Sequence, residues 1–97
     1  MRFYVKARKV VSVNDEHEVL LKKGTVRSRA ATVILELADS DHICAKCIGK
    51  DKVAIMNQKA RSGMPVELII TMEGRVLRTK DERTMYTNEV HIKWILE

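Results

Sequence analysis

Residues 48–68 read IGKDKVAIMNQKARSGMPVEL, and within them the spacing of apolar residues changes. Before Gly49 the apolar positions alternate. After it Val53, Met56 and Ala60 recur at helical spacing, with Lys52, Lys59 and Arg61 on the other faces. Asp51 is the expected N-cap, and Gly63 followed by Pro65 stops the helix. The chain therefore holds one short helix between extended segments, and the reading of those segments decides the architecture.

Upstream, Phe3, Val5, Ala7, Val11 and Val13 share one face of a first strand spanning 2–13, and Arg2, Tyr4, Lys6 and Arg8 share the other. NDEHE breaks the alternation, and Lys22-Lys23-Gly24 adds a turn signal, so a long charged connection is expected there. A second strand runs over about 25–38. An unbroken register would send Arg27 and Arg29 into the core with Val33, Leu35 and Leu37, so a bulge near Ala30 or Ala31 is expected. ADSDH turns the chain, and His42–Ile48 returns as a third strand. Downstream of the helix, Val66, Leu68, Ile70 and Met72 alternate with polar or outward residues along a fourth strand over about 66–76. RTKDERT makes a charged loop, and MYTNEVHIKWILE, residues 85–97, forms the fifth strand. Parity places Tyr86, Asn88, Val90, Ile92, Trp94 and Leu96 on one side of it, which puts Trp94 in register with the core.

Three strands, a helix and two strands is the order of an all-β OB-fold, a five-stranded Greek-key barrel with the helix between strands three and four. Ninety-seven residues make a single domain over 1–97, too small for a catalytic domain with a regulatory one. The 18 Lys+Arg outnumber the 13 Asp+Glu, giving a net charge of +5, which suits a polyanionic partner. No apolar run reaches the roughly 18 residues of a membrane span, and MRFYVKARK lacks a signal's apolar middle, so a soluble cytoplasmic protein is expected.

Cys44-x-x-Cys47 could form half of a zinc site with His17, His42 and His91. On a strand, however, an odd separation sends the two thiols to opposite faces, one buried and one exposed. No metal or other cofactor is therefore assigned. The histidines read as surface residues. Nothing resembles a catalytic triad, a phosphate-binding loop or a carboxylate pair, so no enzymatic activity is expected.

IGKDKVAIMNQKARSGMPVEL and EGRVLRTKDERTMYTNEVHI resemble, in order, two passages of bacterial single-stranded-DNA-binding proteins. The first corresponds to their strand, Gly-Lys, helix and Gly-x-x-Val passage, the second to their last hairpin with its Tyr-Thr-x-Glu-Val close. The resemblance runs from Arg29 onward and implies non-specific binding of single-stranded nucleic acid, DNA ahead of RNA, in replication, repair or recombination. It also implies a homodimer or homotetramer joined through N-terminal strands. The segments that in this family carry base-stacking aromatics read ATVILEL, HICAKCI and RTKDERT here, with no aromatic residue. The two long hairpin loops look trimmed and the acidic tail is absent, as in a short relative comparable to the primosomal OB-fold proteins.

The candidate nucleic-acid-binding residues are accordingly Arg2, Tyr4, Lys6 and Arg8 on the first strand, Arg27 and Arg29 on the second, Lys46 on the third, and Arg75, Arg78, Lys80 and Arg83 around the last hairpin. The alternative is a protein-interaction scaffold of the same fold whose positive charge is incidental.

Overall fold

A computed structural model describes residues 1–96. It contains β1 (Arg2–Ala7), β2 (Lys9–Leu21), β3 (Val26–Glu36), β4 (His42–Ile48), α1 (Lys50–Ser62), β5 (Val66–Arg78) and β6 (Thr84–Ile95). The six strands form one sheet in the order β1-β5-β6-β4-β3-β2. All neighbours are antiparallel except β4 and β6, which run parallel with Lys46 opposite His91. Glu97, the last residue of the expected fifth strand, lies outside the described residues.

There are six strands rather than five because the expected first strand breaks at Arg8. β1 pairs with β5, β2 pairs with β3, and the Arg8 amide donates to Glu36 O at 2.7 Å. The two strands at the ends of the sheet order are thus consecutive in the chain, and a single residue turns the corner between them. The charged connection expected at NDEHE is also strand. β2 absorbs it through a register shift between Asn14 and His17, where Asp15 takes φ 52°, and then continues to Leu21. The bulge expected near Ala30 or Ala31 of the second strand lies on its neighbour instead. β3 pairs with β4 without a break from Ala30 to Glu36, whereas β2 shifts register at Val10/Ser12 and Asn14/His17. Arg29 needs no bulge to escape the core, because Glu16 meets its Nε at 3.0 Å beyond the packed part of β3.

The core gathers Ala7, Val10, Ala31, Val33, Leu35, Ala45, Cys47, Val66, Leu68, Ile70 and Ile92 from the sheet and Val53 and Met56 from α1. Ala60 packs against it from the same helix face, as the spacing of these three predicts. The helix begins two residues earlier than expected. Gly49 at φ 137° is the N-cap in place of Asp51, which sits in the first turn. Gly49 offers no side-chain cap, and the Ser28 hydroxyl of β3 accepts from the Lys50 amide at 3.1 Å instead. Gly63 ends α1 as predicted, left-handed at φ 68° with its amide donating to Lys59 O at 3.0 Å. Cys47 is buried and Cys44 exposed, which matches the parity argument, and burial raises the Cys47 thiol above its ordinary pKa.

Candidate nucleic-acid interface

The face of the sheet turned away from α1 is set by strand parity. On β1 it carries Arg2, Tyr4 and Lys6, since Val5 and Ala7 pack on the core side. On β5 it carries Glu67, Ile69, Thr71 and Glu73, the partners or continuations of that row.

β6 departs from the expected parity. Ile70 pairs with Ile92, but Ile69 pairs with Trp94, so Lys93 is an extra residue in β6. The bulge flips the strand's end. Ile95 turns inward beside the core and Trp94 turns outward, 46 % exposed. The expectation of a core tryptophan is therefore wrong. Tyr86, expected on the same core face, is 79 % exposed, because β5 and β6 extend as a two-stranded arm past the body of the sheet.

Once outward, Trp94 joins a cross-strand row. Tyr4 lies opposite Ile69, and Ile69 opposite Trp94. The Arg2 guanidinium sits over the indole at 5.0 Å from its centroid, and Lys93 Nζ at 5.3 Å. The Tyr4 hydroxyl donates to the Glu67 carboxylate, and that bond raises the phenol's pKa and fixes the ring on the face.

Farther across the same face Glu89 collects three partners. Lys46 Nζ donates to its Oε1 at 2.9 Å, Arg75 Nε approaches Oε2 at 2.9 Å, and His91 Nε2 lies 3.2 Å from Oε2. The Lys46 bond first, then that to His91, holds the Glu89 carboxyl down to about 2. Lys46 also lines a recess of about 250 Å³ with His17, Val19, Ala30, Ala31, Thr32 and Ile48.

No family model and no curated protein matches the chain.

Of the residues expected from sequence, Arg2, Tyr4, Lys6, Lys46 and Arg75 share this face. The others are dispersed. Arg8 stands at the corner and lines a separate recess with Lys6, Asp39, Ser40 and Pro65. Arg27 and Arg29 line another with Glu18 and Lys50, and the Arg29 partner Glu16 also accepts from Asn57 Nδ2 of α1 at 3.3 Å. Arg78 ends β5 opposite Thr84, and Lys80 and Arg83 lie in the turn that follows.

The residues missed were Trp94, Glu89 and His91. The signal for Trp94 was present in Ile92-Lys93-Trp94-Ile95, where two isoleucines three apart cannot both face a core without an extra residue between them. Glu89 carried no such signal, because its partners come from three strands. Among the described residues no three His, Cys, Asp or Glu side chains gather as a metal would require.

Proposed function

We propose that this sheet is an OB-type barrel whose first strand is split at Arg8. The chain binds single-stranded nucleic acid, DNA ahead of RNA, on the face opposite α1, and acts in replication, repair or recombination. The strand order supports the fold. The strands flanking Arg8 pair with β5 and β3, β4 runs parallel to β6, and the helix lies between β4 and β5.

One observation carries the binding reading: Tyr4 and Trp94, both substantially exposed, stand in one cross-strand row with Arg2 over the indole. An aromatic platform bordered by cations is what sequence-tolerant stacking along a phosphate backbone needs. Lys6, Lys46 and Arg75 extend the positive charge on either side.

The protein works as a homo-oligomer through β1. Met1 and Met72 exchange backbone hydrogen bonds at 3.1 and 2.8 Å. By antiparallel alternation Phe3, Val5 and Ala7 then bond to β5, and the amides of Arg2, Tyr4 and Lys6 point to the strand's other edge. That edge has no neighbour in the sheet order and can pair with a second copy about a two-fold axis.

The scaffold reading draws on a different observation. Val76 and Tyr86 form an exposed cross-strand pair on one face of the β5–β6 arm, and Leu77 and Met85 form another on the opposite face, so the arm offers apolar surface on both sides to a protein partner. Titration of labelled oligo-dT by fluorescence anisotropy at several salt concentrations separates the two. Binding with a slope of log K against log salt of about −3, near −0.7 for each of four phosphates, supports the nucleic-acid reading. Absence of binding at low salt by a protein that sediments as an oligomer supports the scaffold.

A further inference from the structure

Glu89 is one carboxylate among three basic side chains. Lys46 and Arg75 stand 55 % and 54 % exposed above it, and Glu89 itself is only 21 % exposed. His91, two residues along the same face of β6, completes the group at 3.2 Å and is 26 % exposed. The donors thus converge on one point of the surface where two carboxylate oxygens now sit. A phosphate offers the same kind of oxygen acceptor in greater number, and both lysine and arginine bind it as readily as a carboxylate.

We propose that Lys46, Arg75 and His91 form a phosphate subsite, with Glu89 as its resident competitor. This rests on the nucleic-acid reading above and adds a gate to it: a backbone phosphate gains these donors only by displacing the Glu89 side chain. Two features favour displacement. The two cations are more than half exposed, so water and a ligand's oxygens can take over their solvation as the carboxylate leaves. Lys46 borders the recess lined by Thr32 and Ile48, which gives its long side chain somewhere to follow a ligand. Glu73 lies directly opposite Glu89 in the β5–β6 register but joins none of these ion pairs, so it supplies a control of the same charge on the same face. The gate sets binding strength. A protein that must release its strand quickly keeps an internal anion ready to replace each departing phosphate.

The test compares wild type, Glu89→Gln and Glu73→Gln in oligo-dT titrations over salt. Both substitutions add the same charge to the same face, but only Glu89→Gln frees the donors. Glu89→Gln is expected to steepen the slope of log K against log salt by about 0.7, one further phosphate, and so to tighten binding roughly eightfold near 50 mM salt. Glu73→Gln is expected to keep the wild-type slope. Glu89→Thr, with a strong strand former, replaces Gln if circular dichroism shows the glutamine variant unfolded.

Weaker binding by Glu89→Gln would mean that Glu89 orients the cations, and equal gains from both variants would mean a general charge effect. Either overturns the proposal and leaves the nucleic-acid reading standing. If no variant binds oligo-dT, that reading falls, and the subsite is judged by inorganic pyrophosphate alone. Movement of the His91 ring resonances in Glu89→Gln but not in wild type keeps it, and no movement in either removes it.

Discussion

Replacing Trp94 by alanine tests both the bulge at Lys93 and the use made of it. A tryptophan side chain brings at most about 250 Å² of surface. With the residue 46 % exposed, roughly 130 Å² is covered, worth at most ~3 kcal/mol at ~25 cal/mol/Å² and ~2 kcal/mol once the denatured chain's own compactness is counted. Because the ring is open to solvent on one side, truncation leaves no sealed cavity to add to this. Urea unfolding should therefore place Trp94→Ala about 2 kcal/mol below wild type. On oligo-dT the loss of a stacking ring should cost ~1–3 kcal/mol, a rise in Kd of about 5- to 150-fold. In the wild type the indole emission should be quenched as oligo-dT binds. A stability loss of about 4 kcal/mol or more, in the range of a fully buried aromatic, combined with unchanged emission would refute the outward placement. Quenching-free binding with normal stability would instead move the nucleic acid off the Tyr4–Trp94 row.

Met56→Ala should cost about 2–5 kcal/mol by denaturant unfolding, since its side chain is fully buried between helix and sheet. Gly63→Ala should cost about 1 kcal/mol, for the left-handed φ of 68° alone, because an added Cβ would meet nothing within 4 Å. The Glu89 carboxyl is depressed from an ordinary 4.5 to about 2, so its contribution to stability is complete above 4.5 and is lost as pH falls through about 2. Thermal melts of Glu89→Gln should accordingly lose less on acidification across that window than wild type. Lys6→Pro removes an amide from the outer edge of β1 and spares the ladder to β5, so on the proposed pairing through β1 it should shift sedimentation toward monomer while circular dichroism stays unchanged. An unaltered mass would place the seam elsewhere.

What the sequence disclosed follows from which forces are local. Val53, Met56 and Ala60 repeat at a helical period and Gly63 needs its positive φ whatever surrounds it, so α1 could be read to within two residues at its start and to the residue at its end. The opposite faces of Cys44 and Cys47 follow from counting along an unbroken strand. Counting failed wherever a strand gains a residue. At Lys93 the extra residue exchanged Trp94 for Ile95 in the core, and at Asp15 it let a run of charged residues continue as strand. Arg8 was invisible as a corner because Lys9 and Val10 resume an extended backbone at once, and only the change of partner from β5 to β3 divides the segment. The candidate site divided the same way. Cations could be assigned to a face by parity, but which of them a carboxylate already holds depends on strands far apart in sequence.

The corner at Arg8 has a consequence for how the chain is made. Of the six strands β1 is made first, yet its partner β5 follows only after β2, β3, β4 and α1. Hairpins such as β2–β3 close in about 1–10 μs, whereas the stretch from Ala7 to Val66 takes on the order of 3–12 s to synthesise at about 5–20 residues per second. For those seconds β1 is an unmated ribbon, tethered by one residue to a meander that is already folding. On a crowded polysome the nearest complementary β5 can belong to the preceding chain. Two nascent copies could then exchange β1 strands before either has completed its own sheet, which would make the timing of translation, as well as affinity, a determinant of any assembly through this strand.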